Sequence, residues 1–236
     1  MILPITEVEH YTDQLFRIKL ERPQSYRFNA GEFTMIGLSK GDISRAYSFT
    51  SGPGDDYLEF YSIKVLNGPL TGRLQHVKPG DTLEVGDKPT GSLTLANIEL
   101  GGNLWLLATG TGIAPFISIL RDPATYDCFD SVTVVWSVRT EPELDAYQDF
   151  INEMPVRFIP VITQAGNTWR GLDTRITNLL DWKCILVDRD PALNKVMICG
   201  SLDFNNDVKT RLTDWGWSEG NRKSAGTFVV ERAFVG

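Results

Sequence analysis

Leu104-Trp105-Leu106-Leu107-Ala108, followed after Thr109 by Gly110-Thr111-Gly112-Ile113-Ala114-Pro115, is the stretch on which the fold turns. A continuous apolar run of this kind suits a parallel strand covered on both faces. The glycines allow the backbone to approach a ligand closely. The helix expected over Ala114–Leu120 offers its free N–H groups to an anion. The full G-x-G-x-x-G pattern is absent, so a purely structural strand–turn–helix junction explains the segment equally well on its own.

Working toward the C-terminus, Val132–Trp136 is a second apolar run, and a helix is expected near Pro142–Glu153. Arg157–Thr163 reads as strand, Thr174–Leu180 as helix, and Lys195–Cys199 as strand. Phe204–Trp215 reads as helix and Thr227–Val230 as a last strand. This alternation predicts a parallel α/β sheet. Cys199-Gly200-Ser201 repeats the strand-end arrangement of Gly110–Pro115. Ligands of open parallel sheets bind beyond the carboxyl ends of the strands, so both segments should border one crevice. Taken alone, a cysteine there is an ordinary small buried side chain.

Working toward the N-terminus, the pattern is different. Short strands are expected at Gln14–Leu20, Thr34–Leu38, Ala46–Thr50, Tyr57–Val65, Thr82–Val85 and Ser92–Leu95. Turn-forming residues separate them, notably Ser51-Gly52-Pro53-Gly54, Asn67-Gly68-Pro69 and Lys78-Pro79-Gly80-Asp81. Many short strands at even spacing predict an antiparallel barrel. The boundary falls near 98–103, giving a β-barrel domain over 1–100 and an α/β domain over 101–236. The expected fold class is therefore a two-domain β plus α/β protein.

Within the barrel, Arg45-Ala46-Tyr47-Ser48 puts a permanent cation, a flat ring and a hydroxyl within one short strand. Side chains alternate along a strand, so Arg45 and Tyr47 share a face. A guanidinium can clamp a phosphate, and a phenol ring can stack on a flat heterocycle. An ordinary amphipathic strand with one snorkelling arginine is the competing reading. Leu70-Thr71-Gly72-Arg73-Leu74 offers a hydroxyl, a glycine and a guanidinium at a helix start, which suits a pyrophosphate or simply a capped helix.

Composition narrows the classes of function. The 236 residues are 42% hydrophobic and 22% charged, which describes a globular protein with ample material for a core. The net charge of −7 is spread without a basic stripe, which argues against nucleic acid as a partner. No apolar run reaches membrane-spanning length and no leader pattern is visible, so a cytoplasmic location is expected. Cys128, Cys184 and Cys199 are too scattered for a disulfide framework or a metal cluster, and His10 and His76 are the only histidines. No metal is expected.

The ordered set of motifs resembles the ferredoxin–NADP⁺ reductase family, in its bacterial (flavodoxin reductase) type, over nearly the whole chain. Arg45-Ala46-Tyr47-Ser48 is similar to the family's flavin motif, and Leu58–Ile63 to the next flavin-lining strand. Thr71-Gly72-Arg73-Leu74 is similar to its pyrophosphate segment, and Gly110–Pro115 and Cys199-Gly200 to its nicotinamide-domain motifs. The ending Val230-Glu231-Arg232-Ala233-Phe234-Val235 is similar to the bacterial subgroup's C-terminus. The resemblance implies a Greek-key FAD-binding barrel followed by an NADP(H)-binding α/β domain whose tail returns to the FAD.

It further implies roles for individual residues. Arg45 would pair with the FAD pyrophosphate, Tyr47 would stack on the isoalloxazine, and Ser48 would lie near flavin N5. Ala46, Tyr61, Ser62, Ile63, Lys64, Thr71 and Gly72 would complete the FAD contacts. Thr111, Gly112, Cys199 and Gly200 would flank the nicotinamide, which Glu231 would orient. Ala233 would take the place of the tyrosine that covers the flavin in plant-type relatives, and Phe234 would fold back on the adenine half. Ser48, Cys199, Glu231 and Ala233 form the expected catalytic group.

Cofactor preference rests on cations. Thr163-Gln164-Ala165 stands where NADPH-selective relatives carry an arginine, whereas Thr174-Arg175-Ile176 matches the second position. Arg170 and Arg139 could also reach the cofactor phosphates, which favours NADPH over NADH. The resemblance implies ferredoxin or flavodoxin as partner and a monomeric protein, with Arg17, Lys19, Arg22, Arg27, Lys40 and Lys64 as a candidate docking rim. Two other readings stand beside it. One is an NAD(P)H-dependent flavin or oxygenase-component reductase, and the other a non-catalytic flavin- or nucleotide-binding electron-transfer subunit.

Overall fold

The computed structural model describes residues 1–39, 41–65 and 67–231. The chain forms two compact units, one of residues 1–91 with 114–122 and one of 92–113 with 123–236.

The first unit is built on β1 (Ile2–His10), β2 (Leu15–Glu21), β3 (Phe33–Gly37), β4 (Ser44–Ser48) and β5 (Tyr57–Ile63), then the single helical turn α1 (Thr71–Leu74) and β6 (Thr82–Val85). The strands pair in the order β4-β3-β6-β1-β2-β5, antiparallel throughout. Phe49 bridges Phe60, and the Thr50 N–H donates to the Glu59 carbonyl at 2.9 Å, so the two edge strands meet and the sheet closes. Closure removes the exposed edges that an open sheet would present. The interior holds Phe16, Ile18, Leu20, Phe49, Leu58, Phe60 and Leu83, with Phe28 stacked on Phe49 at 4.1 Å.

Two local expectations fail here. β1 lies before the first strand expected from sequence. Pro4 and the acidic run Glu7-Val8-Glu9 obscured its alternation, although Leu3 and Ile5 point inward. A register shift between Ile5 and Glu7 breaks the two-residue period further. Ser92–Leu95 is not a strand but leads into a 3₁₀ turn, Leu95–Asn97. The Asn97 amide donates to the Ser92 carbonyl at 2.8 Å and to Thr94 Oγ1 at 3.1 Å, and this local bonding competes with strand pairing.

The second unit carries β7 (Asn103–Thr109), β8 (Ser131–Val138), β9 (Arg157–Ile162), β10 (Asn194–Cys199) and β11 (Phe228–Val230). All pair in parallel, in the order β11-β10-β7-β8-β9. The helices, in chain order, are α2 (Ala114–Leu120, in the first unit), α3 (Ala124–Cys128), α4 (Gln148–Glu153), α5 (Ile176–Asp181) and α6 (Leu202–Asp214). The helix expected near 142–153 divides into a 3₁₀ turn, Glu141–Leu144, and α4. From β7 the chain builds outward to β8 and β9, then returns to place β10 on the other side. The strand order therefore reverses between β7 and β10, where open α/β sheets hold their ligands.

Candidate functional site

In the first unit, β4 pairs with β3 so that Tyr47 faces Thr34 and Arg45 faces Ile36. Arg45 is exposed, and its guanidinium spends one donor on the Ser44 carbonyl at 2.9 Å. Tyr47 is half-buried and meets Phe60 edge-on at 6.5 Å. Its hydroxyl accepts from Ser62 Oγ at 3.3 Å, and burial pushes the phenol pKa up. Ser48 is 6% exposed and its hydroxyl has no hydrogen-bond partner among the described residues. A buried orphan hydroxyl is costly, which marks a donor waiting for an acceptor.

β5 supplies Tyr61 and Ser62, both buried, and Ile63, which is 40% exposed. Lys64 turns its ammonium onto the Thr12 carbonyl at 2.9 Å. Thr71 opens α1, with its hydroxyl where a side chain on Gly68 would have to lie. The Gly72 N–H is already given to the Gly68 carbonyl at 3.0 Å. Arg73 pairs with Asp42 at 2.7 Å.

Glu59, also on β5, is fully buried, and nothing in the sequence singles it out. It accepts from Thr50 Oγ1 at 2.8 Å and lies 3.4 Å from Arg17, 3.9 Å from Lys19 and 3.9 Å from Arg121. Arg22 donates to the Pro53 and Asp55 carbonyls at 2.8 and 2.7 Å. Ser118 Oγ donates to the Ser51 carbonyl at 2.7 Å. Together these contacts fix the loop that follows Tyr47 and Ser48. Cations of the expected docking rim also have partners within the unit. Arg17 and Lys19 bind Glu7 and Glu59, Arg22 and Arg27 bind main-chain carbonyls, and Lys64 holds Thr12. These five cations are engaged within the unit, and Lys40 lies outside the described residues.

In the second unit, the ends of β7 and β10 lie side by side, with Ala108 paired to Cys199. Gly110 has φ +52°, a left-handed conformation that suits glycine, and Trp136 Nε1 pins its carbonyl at 2.9 Å. A Cβ on Gly112 would collide with the Cys199 carbonyl, so glycine is needed for the two turns to pack. Gly200 is held as closely against the Thr109 side chain, whose hydroxyl also accepts from the Ser201 N–H at 3.1 Å. Thr111 stays partly exposed on this turn. The structure thus brings Thr111, Gly112, Cys199 and Gly200 to one end of the sheet, past the carboxyl ends of β7 and β10.

Cys199 is fully buried, and burial pushes its thiol pKa well up, with the Glu231 carboxylate raising it further. The thiol is therefore neutral at physiological pH. Glu231 is 3% exposed and donates its N–H to the Ile198 carbonyl at 2.9 Å. The expected positions Ala233 and Phe234 lie outside the described residues.

Arg139 and Gln164 continue the β8–β9 pairing past the strand ends, the Gln164 N–H donating to the Arg139 carbonyl at 2.8 Å. Leu172 bridges Val161 in parallel, which carries Arg175 toward the same end of the sheet at the start of α5. Arg170 sits on the intervening loop and donates to the Asn167 carbonyl at 3.1 Å. All three arginines are exposed, and none pairs with a carboxylate among the described residues. No cluster of histidine, cysteine and carboxylate that could hold a metal occurs among the described residues, nor a helix long and apolar enough to cross a membrane.

The residues present fit a flavin nucleotide in the first unit: an exposed guanidinium, a half-buried phenol and an orphan hydroxyl on one strand. They fit a dinucleotide in the second, where glycines let two strand-end turns pack together at the switch point of a parallel sheet. Known proteins share this fold. A family model for the oxidoreductase NAD-binding domain matches residues 106–210. The chain is 40% identical to ferredoxin–NADP reductase A of Sorangium cellulosum, covering 98% of this chain and 89% of that one. It is 41% identical to the flavodoxin/ferredoxin–NADP reductase of Rhodobacter capsulatus, covering 98% and 92%. A crystal structure of a ferredoxin NADP⁺ reductase from Neisseria gonorrhoeae with bound FAD and NADP superposes with a TM-score of 0.91 at 34% identity, covering 99% of this chain and 98% of that one. With this identity sustained from end to end and the two folds in the same order, the chain belongs to the ferredoxin–NADP reductase family.

Proposed function

We propose that this protein is an FAD-dependent oxidoreductase that links NADPH to ferredoxin or flavodoxin. The buried, unpartnered Ser48 hydroxyl beside Tyr47 carries the reading, in a chain whose full-length relatives are ferredoxin–NADP reductases. When bound, FAD takes up hydride from NADPH and releases electrons singly to the protein partner.

The chain's own residues supply placement. Arg45 keeps donors for a pyrophosphate, where a paired, charge-assisted contact is strongest. Tyr47 offers a ring whose hydroxyl is already tied to Ser62. Ser48 has a proton to donate to a ring acceptor. Ala46, Tyr61, Ser62, Ile63, Lys64, Thr71 and Gly72 complete the FAD set. Thr111, Gly112, Cys199 and Gly200 bind the nicotinamide, and the neutral Cys199 thiol keeps charge away from the transfer path. Glu231 orients the carboxamide as a hydrogen-bond acceptor. Ala233 and Phe234 belong to the same assignment.

Arg139, Arg170 and Arg175 favour NADPH over NADH, because exposed guanidinium groups free of carboxylates suit a 2′-phosphate. The reading also includes a monomer working in the cytoplasm, with barrel residues 1–100 for FAD and residues 101–236 for NADP(H). An absorbance spectrum of the purified protein, before and after anaerobic NADPH, tests the whole. Flavin bands that NADPH bleaches, followed by reduction of ferredoxin or flavodoxin, are expected. A colourless protein, or a flavin that NADPH leaves oxidised, would sink it.

A further inference from the structure

We infer that Asn205 is a positioning residue for Glu231, and through it for the nicotinamide half of the reaction; this rests on the function proposed above. Asn205 lies on the core-facing side of α6, in register with Val208 and Leu212, and is only 6% exposed. An amide stands there where the helical pattern asks for an apolar side chain. Its Nδ2 donates to the Glu231 carbonyl at 3.3 Å, while its Oδ1 is buried with no partner among the described residues.

That orphan acceptor is informative. A leucine, with the same branched skeleton, would occupy this site without burying an unsatisfied oxygen. The amide is therefore retained for its one donated bond.

The bond falls at a decisive place. The Glu231 N–H, bonded to the Ile198 carbonyl at 2.9 Å, is the last rung beyond β11 among the described residues. Its carbonyl accepts from Asn205. Glu231 is thus held at both its N–H and its C=O, and its carboxylate can move only about its own side-chain torsions. Cys199 is buried, and after burial itself the Glu231 carboxylate is the second cause that raises its thiol pKa. Releasing the carbonyl would free the main chain on which Glu231 is mounted.

The test is a cycle of Asn205→Leu, Glu231→Ala and the double variant in the FAD-loaded protein, with two readouts. The first is the rate of flavin reduction at saturating NADPH, alongside the Kd for NADPH. The second is alkylation of Cys199 relative to the exposed Cys184, followed by peptide mass spectrometry. Asn205→Leu is expected to slow reduction about tenfold while leaving Kd within about threefold, and to add no further loss once Glu231 is alanine. The Cys199 to Cys184 labelling ratio should rise about fivefold as the main chain at Glu231, paired to Ile198 next to Cys199, loosens.

An unchanged rate and labelling ratio would overturn the inference, as would the same loss in both backgrounds. Should Asn205→Leu fail to fold, Asn205→Asp keeps the shape without the donor. Failure of both would assign Asn205 to folding alone, which also overturns it. If NADPH does not bleach the wild-type flavin, the proposed function fails, yet the labelling ratio still reports whether Asn205 holds Glu231.

Discussion

Arg45, Tyr47 and Ser48 show how far a local motif can carry an argument. Their types and alternation were readable from four letters, because strand geometry fixes which side chains share a face. Arg45→Ala should mainly loosen FAD. Losing a charge-assisted bond costs about 1.5–3 kcal/mol, so titration of the apoprotein should show Kd raised by roughly 10–150-fold. Ser48→Ala should instead retain FAD and slow its reduction by NADPH, read by stopped-flow absorbance; the reverse pattern would overturn the two assignments. Glu59 marks the other limit. Set between Leu58 and Phe60, it gives no sign of its role, because its partners Arg17, Lys19 and Arg121 come from distant segments. Glu59→Ala should destabilise the protein by about 3–5 kcal/mol in urea unfolding, since it strands largely buried guanidinium groups. A change within experimental error would mean that solvent already screens the cluster.

Among the elements, β7 and β8 were legible as apolar runs, whereas β1 was not. A strand with Pro4 near its start and carboxylates along its outer face carries little period-two signal until its partners are known. Its last residue, His10, stacks on Phe16 at 5.6 Å, and burial, then Lys64 and His76, lower its pKa from 6.5. A base whose folded pKa is depressed binds protons more readily when unfolded. Its contribution to stability is therefore present above pH 6.5 and lost as the pH falls toward the folded value. Urea melts across this range should show a pH dependence that His10→Asn flattens; an identical slope would exclude His10 as its source. The paired turns after β7 and β10 predict a second outcome. Gly112→Ala forces a methyl group against the Cys199 carbonyl, so it should cost about 1–3 kcal/mol and raise KM for NADPH. Normal stability with normal KM would show that the two turns can separate freely.

For the whole molecule, ligand linkage gives the sharpest expectation. A ligand that binds only the folded state adds about 2.7 kcal/mol at a hundred times its Kd, so removing FAD should lower Tm and restoring it should reverse the loss. NADP⁺ should raise Tm further than NAD⁺ at equal concentration if Arg139, Arg170 and Arg175 read the 2′-phosphate. Equal shifts would leave the cofactor preference without a basis in these cations. The sequence by itself determined the two grammars of this chain, short antiparallel strands and then alternating parallel ones. It also determined the chemistry of the local motifs, because hydrophobic period and neighbouring side chains are properties of contiguous residues. Tertiary structure alone decided the rest. It closed the barrel through Phe49 and Phe60, and it gave Arg17 and Lys19 the partners Glu7 and Glu59. It also buried the Cys199 thiol beside Glu231 and set Asn205 to hold that carboxylate's main chain. Each of these depends on residues brought together from far apart in the chain, where burial and pairing, rather than residue type, fix what a side chain does.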